Sequence, residues 1–396
     1  MMDRRTLLAT ASAAFTATVS KHSLAQSWGY DPNNMAMTAA QKKAHFARFP
    51  TLDSESIMSF AGGFKRWQGE YRNRDTYRRR AQFVRSLGYP PGPTDLDFEA
   101  CHNILLQDPT YQAEIRLARS IQELMWDRAL SALYADEDLY LSAMEATDNA
   151  GPGSLELNPS MVIPEYTTYE IHQQPGGYVG HQFAGWLYHY ALALSFYQGL
   201  FSGPVRHDEP HHAIAARTPV PSDGRVRRIL EAGCSDGRTT IALKERFPDA
   251  EVWGIDVGGP MVRYAHHRAA GMGHDIYFAQ RLAEDTQFPD NHFDIIVTNL
   301  LFHEVESPAI SKIVPEFHRI MRRGGIWDLT DGPGGPGHPK LSRPMTITTK
   351  AARWVNHRYN NETWEIDWAG VNMTKRVQDA GFHMDLDRTQ MAPVKV

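Results

Sequence analysis

The stretch Ile229-Leu-Glu-Ala-Gly-Cys-Ser-Asp-Gly237 constrains the fold more than any other part of this chain. A short aliphatic run ends in a bend with glycines four apart, and a helical pattern begins directly behind it. Glycine is needed where backbone takes positive φ or passes close to a ligand, and a helix N-terminus behind the bend offers free N–H groups. The same unit recurs downstream. Strands are expected at 228–232, 251–255, 276–279, 293–299 and 325–329, with helices at 239–247, 261–270 and 309–321. Alternating β and α segments predict an α/β fold with a doubly wound, mostly parallel sheet. Ligands of such a sheet sit beyond the carboxyl ends of its strands.

Upstream the texture is mainly helical. Residues 111–134 carry apolar side chains at helical spacing, and 183–201 is almost entirely apolar or aromatic, which predicts a buried core helix. A loop is expected from Gly151 to Tyr178. These contrasts divide the chain into a helical, substrate-shaping domain (26–206), a linker (207–224) and an α/β domain (225–396). Residues 1–25 read as an address: Arg4-Arg5, a weakly apolar Ala/Thr-rich run, Lys21, and Ser23-Leu-Ala25 as a cleavage site. The paired arginines fit a twin-arginine signal, so export to a bacterial periplasm is expected, with cytoplasmic retention if the signal is inefficient. Two cysteines rule out a disulfide framework. A net charge of −5 argues against a nucleic-acid partner, and no apolar run of the mature region is long enough to span a bilayer.

The chemistry gathers around the bend. Glu231, two residues before Gly233, would repel a pyrophosphate but could pair with the ammonium of an amino-acid tail. Asp256 ends the second strand, where a carboxylate can accept both hydroxyls of a ribose. The segments Phe288-Pro-Asp-Asn-His-Phe-Asp-Ile-Ile-Val-Thr-Asn299 and His318-Arg-Ile-Met-Arg-Arg-Gly-Gly325 follow in order. Together these motifs resemble the class I S-adenosylmethionine-dependent methyltransferases, small-molecule type, over residues 225–331. The resemblance implies a Rossmann-like domain with S-adenosylmethionine as cofactor. Glu231, Gly233, Ser235 and Gly237 would line its methionine part, Asp256 its ribose, and Ala283 and Glu284 its adenine. Ser235 stands where the family usually has a glycine, and Leu282 where it often has an aspartate.

An activated methyl group mainly needs an acceptor placed in line, helped by a base when the acceptor is a hydroxyl. His303, just past the fourth strand, is the expected base, with Glu304 orienting it or serving as base itself; a capping or packing role for His303 is the alternative. Asn299 is expected to line the site. On the substrate side, His172 and Tyr178 flank a Pro-Gly-Gly turn that reads as a lid or an ordinary surface turn. His207, His211 and His212 sit in the linker, where no metal site is expected, and His266-His267 is expected on an exposed helix face. The reaction implied is methyl transfer to a small apolar or aromatic acceptor, O-methylation first and N- or C-methylation next. The rival is an exported, non-catalytic binding protein that keeps the fold.

Overall fold

The structure, a computed structural model, describes residues 51–396 apart from 69–72, 197–208, 333–336, 339, 341, 343 and 387–389. The expected address at 1–25, His207 and the end of the apolar segment (197–201) therefore lie outside the described residues. Among the described residues eight strands form one sheet: β1 (Ser154–Glu156), β2 (Arg228–Ala232), β3 (Glu251–Asp256), β4 (Tyr277–Gln280), β5 (Phe293–Asn299), β6 (Met321–Thr330), β7 (Phe382–His383) and β8 (Val394–Lys395). Their order is β1-β4-β3-β2-β5-β6-β8-β7, parallel from β1 to β6, with β8 antiparallel to both β6 and β7. β5 is buried along its length up to Asn299, as expected of a β-branched strand covered on both faces. The chain winds outward from β2 through β3 to β4, then crosses back to β5. The β2/β5 junction is therefore the topological switch point where a crevice opens.

The helices, in chain order, are α1 (Leu52–Trp67), α2 (Asn73–Ser86), α3 (Phe98–Leu105), α4 (Pro109–Ala135), α5 (Glu137–Glu145), α6 (Glu209–Arg217), α7 (Arg238–Arg246), α8 (Gly259–Met272), α9 (Ser307–Ile320), α10 (Ile347–Tyr359), α11 (Glu365–Gly370) and α12 (Met373–Asp379). A one-turn helix at Ala184–Trp186 continues as a wide π-helix, Leu187–Phe196. α9 shows how pattern becomes packing: Ile310, Ile313, Val314, Phe317 and Ile320 form one stripe, all buried against the sheet. Four of the five expected parallel strands start or end within a residue of their predicted bounds. The fifth begins earlier, at Met321, running through the expected turn as an irregular edge opposite Phe293–Ile295.

The expected division at 206/225 separates textures, not cores. β1 lies inside the stretch expected to be a loop, yet it pairs in parallel with β4. Val84, Cys101, Leu105 and Tyr111 share a cluster with Ile347 and Ala351 of α10, and the Tyr111 hydroxyl donates to the Ala351 carbonyl (3.3 Å). Tyr264 of α8 packs with Phe183 and Trp186. His266 is likewise buried rather than exposed, because the end of α5 docks there: its Nε2 meets the Thr147 carbonyl at 2.9 Å, and Thr147 Oγ1 meets His267 Nδ1 at 2.8 Å. The upstream helices and the α/β sheet are built as one body around the crevice. Among the described residues no helix is long and apolar enough to cross a membrane.

Candidate active site

The glycine bend and the acid of the second strand meet directly. Gly233 and Cys234 donate their N–H groups to the Ile255 carbonyl, both at 2.9 Å. Ser235 then donates its N–H to Asp256 Oδ2 (3.0 Å), while Asp256 Oδ1 accepts from Gly258 N (2.8 Å). Each carboxylate oxygen is fixed by one backbone donor and keeps a further lone pair for a sugar hydroxyl. Burial raises the Asp256 carboxyl, and those backbone donors oppose the rise. Gly233 has φ +71°, and a Cβ there would come within 2.7 Å of Leu301 Cδ1, so only glycine lets the β2 and β5 loops close together. Ser235 also takes positive φ (50°), and its Oγ is buried without a protein partner among the described residues. Glu231, 2% exposed, accepts the Thr240 hydroxyl, and burial pushes its carboxyl up to about 8.

These residues open onto a cavity of about 1050 Å³. Its cofactor side is lined by Glu231, Gly233, Ser235 and Asp256, with Ala283 and Glu284 beyond them. The Tyr166 hydroxyl donates to Glu284 Oε1 at 2.5 Å and fixes that carboxylate. Gly237 stands between two lining residues, Asp236 and Arg238. Its positive φ (77°) is required by close packing, since a Cβ there would lie 2.7 Å from Ala265 Cβ and 3.1 Å from Phe278. The glycine seats α7 on α8 and β4.

The opposite side gathers groups from remote parts of the chain. Asn299, His303 and Glu304 line it from the β5 loop, and His172, Tyr178 and Glu362 close it from above. His303 Nδ1 lies 2.6 Å from Asp331 Oδ1, and the same aspartate accepts the N–H groups of Phe302 and Gly332, each at 2.6 Å. Burial opposes charge on the ring, but Asp331, Glu304 and Glu362 outweigh it and raise His303 to about 10. Asp331 thus favours the charged form of the His303 ring, which suits it to donate and orient rather than to act as the expected base. Glu304 Oε1 lies 3.6 Å from His303 Nε2 and 3.8 Å from His172 Nε2. Burial and the neighbouring Glu362 raise Glu304 to about 7, against the pull of the two histidines. His172 Nδ1 sits 2.9 Å from Glu362 Oε1.

His172 reaches the cavity through a strained backbone. It and Gln173 both take positive φ (55° and 56°), costly for residues with a Cβ. The conformation is held because the His172 carbonyl accepts from Gln122 Nε2 (2.5 Å) and Trp126 Nε1 (3.0 Å). The Pro-Gly-Gly turn is packed rather than an open surface turn. Gln174 is fully buried and donates to the Gly177 and Ala184 carbonyls, both at 3.1 Å. The Tyr178 carbonyl lies so near Gly258 that a Cβ there would come within 2.7 Å, and the Tyr178 ring stands edge-on to Tyr188 with centroids 5.5 Å apart. This segment closes the crevice beside Asp256.

Asp331, Glu362 and Tyr166 were not singled out by sequence reasoning. Asp331 follows the last residue of β6, so the rule that selected Asp256 also points to it; Glu362 and Tyr166 carry no comparable signal. His211 and His212 go separate ways, to Thr239 Oγ1 (2.8 Å) and Glu245 Oε2 (2.7 Å).

Known proteins resemble the sheet half of the chain. Residues 229–325 match the family model of a methyltransferase domain. An uncharacterized methyltransferase of Synechocystis is 28% identical over 149 residues, 38% of this chain and 66% of that protein. The trans-aconitate 2-methyltransferase of Rhodococcus jostii is 31% identical over 151 residues, 37% of this chain and 52% of its own length. Among solved structures, a putative methyltransferase from Bacillus halodurans covers 44% of this chain and 69% of its own at 19% identity, with a TM-score of 0.35. The chain spans about half to two thirds of the length of these curated relatives.

Proposed function

We propose that this chain is an S-adenosylmethionine-dependent methyltransferase that methylates an oxygen of a small molecule. The observation that carries the reading is the 3.0 Å hydrogen bond from Ser235 N to Asp256 Oδ2, which joins the glycine bend to the sugar-binding acid along one cavity wall. The residues present suit the cofactor. Buried Glu231 can be ionised by an ammonium beside it, Ser235 Oγ has an unmet hydrogen bond, and Asp256 retains lone pairs for a ribose. At about 1050 Å³ the cavity reaches the top of the usual range for one ligand, roughly 300–1,000 Å³, which leaves space for a small acceptor as well.

When bound, the sulfonium supplies an already activated methyl group. The protein then has to place the acceptor oxygen and take its proton. Glu304, raised to about 7, is matched to that task near neutral pH. His303, fixed by Asp331, holds Glu304 in place and keeps a positive charge beside the acceptor. Tyr178 and Tyr188 give the acceptor one aromatic flank, while the histidines and carboxylates make its reacting end polar. A wholly apolar acceptor suits such a wall poorly, so a molecule with a hydroxyl or carboxyl group is the proposed substrate. A protein that kept the fold only for binding would gain nothing from burying these charges, which supports the enzymatic reading over its rival.

Isothermal titration with S-adenosylmethionine and S-adenosylhomocysteine tests the cofactor assignment, and a metabolite screen with a labelled methyl donor identifies the acceptor. Failure to bind either nucleoside would overturn the proposal. We also propose export by the paired arginines. Arg4→Lys/Arg5→Lys is expected to keep the protein in the cytosol, and unchanged fractionation would remove that address.

A further inference from the structure

His172, Glu304 and Glu362 each offer one ligand atom, and these atoms lie within 4.8 Å of one another. They come from three separate segments: the strained turn before Tyr178, the β5 loop, and the turn after α10. The direct His172–Glu362 contact at 2.9 Å is backed by a hydrogen-bonded frame. Gln122 Nε2 donates both to the His172 carbonyl and to Asn360 Oδ1 (2.8 Å), and Asn360 Nδ2 lies 3.1 Å from His172 Nδ1, two residues from Glu362. A second observation points to a missing ligand. Glu362 is only 6% exposed, yet its Oε2 is buried without a hydrogen-bond partner among the described residues, and so is Glu304 Oε2. Buried carboxylate oxygens are expected to be paired or to coordinate a metal.

We propose that His172, Glu304 and Glu362 bind a divalent transition-metal cation at the acceptor end of the cavity, with coordination positions left for an oxygen of the acceptor. One imidazole and two carboxylates form a mixed nitrogen and oxygen set suited to Mn²⁺, Fe²⁺ or Zn²⁺, whereas Mg²⁺ favours oxygen ligands and water. Three protein ligands with open positions are the usual arrangement where a bound metal meets a substrate. Ligand atoms about 2.1 Å from one metal sit roughly 3.5 Å apart, so the cluster needs only small side-chain shifts to close on a cation. Glu304 can ligate through Oε1, on the side of His172, or through the unpartnered Oε2. His303 stays bonded to Asp331 and sets the direction of Glu304. The placement of the acceptor rests on the methyltransferase reading; the cation site does not.

The test uses the full chain, stripped with EDTA and titrated calorimetrically with Mn²⁺ and Zn²⁺, with S-adenosylhomocysteine binding measured on the same sample. One equivalent of cation per chain is expected, with loss of the sharp six-line electron-spin signal of free aqueous Mn²⁺ as it binds. Glu362→Gln and, separately, His172→Gln are expected to weaken binding by at least about tenfold, while His212→Ala, a half-exposed surface histidine, leaves it unchanged. The wild-type stoichiometry decides even if one variant fails to fold. No stoichiometric binding of either cation, or binding that survives both substitutions, overturns the site. Nucleoside binding without metal binding refutes this inference alone; metal binding without nucleoside binding refutes the methyltransferase reading alone.

Discussion

The two walls of the cavity are built differently. The cofactor wall, from Glu231 through Ser235 to Asp256, spans 26 residues of chain and is fixed largely by backbone hydrogen bonds at strand ends. The acceptor wall draws His172, His303, Glu304 and Glu362 from nearly two hundred residues and is fixed by side chains, with Asp331 behind His303. A wall tied to a sheet's backbone can stay the same while its sequence drifts. A wall of converging side chains can change its chemistry with a few substitutions. The first therefore suits a shared cofactor and the second a particular acceptor.

This contrast predicts which quantity each substitution moves. Glu304→Gln should lower the rate of methyl transfer by about 10²- to 10⁴-fold while leaving S-adenosylhomocysteine affinity within a few-fold, measured by labelled-methyl turnover beside calorimetry. Equal losses in both would mean the two walls are not separable. Gly233→Val should act the other way, weakening nucleoside binding by at least about 100-fold. It combines a disfavoured left-handed backbone with overpacking against Leu301, roughly 1–3 kcal/mol each. Retained affinity in a folded variant would displace the glycine bend from the cofactor.

The pH dependence of nucleoside binding sharpens the same division. Glu231 is raised to about 8 in the free protein, and an ammonium beside it favours the ionised form. Binding should thus release a proton below that value. Affinity should rise by up to about tenfold per pH unit until the pH nears about 8, then fall as the ammonium itself loses its proton. Calorimetry in two buffers of different ionisation enthalpy reads the proton directly, and a flat profile would move the ammonium away from Glu231. The smallest effect belongs to Tyr166→Phe, which removes one hydrogen bond to Glu284. A loss of about 1 kcal/mol, or up to tenfold in nucleoside affinity, is expected.

The cofactor wall was readable in sequence because its parts are local: a strand, a bend and a helix start give Gly233 and Ser235, and a strand's last residue gives Asp256 and Asn299. Gly237 shows a limit of spacing, which does not reveal that a glycine of the bend also packs on Ala265. His303 was found, but its charge was not, since Asp331 lies 28 residues away and only the β5–β6 pairing brings them together. Glu362 gave no signal at all: Asn360-Asn-Glu362 resembles any polar turn until α10 packs on α3. β1 was hidden for a related reason. Three residues between glycines and a proline carry no periodicity, and the edge of β4 supplies the order they lack.

That short strand has a consequence for how the molecule can be trimmed. A fragment starting at α6 would retain the glycine bend and both strand-end acids, yet it would leave the outer rim of Tyr277–Gln280 bare, a row of amides and carbonyls seeking company. The upstream polypeptide caps that rim, and its removal is expected to leave it open to pairing between copies.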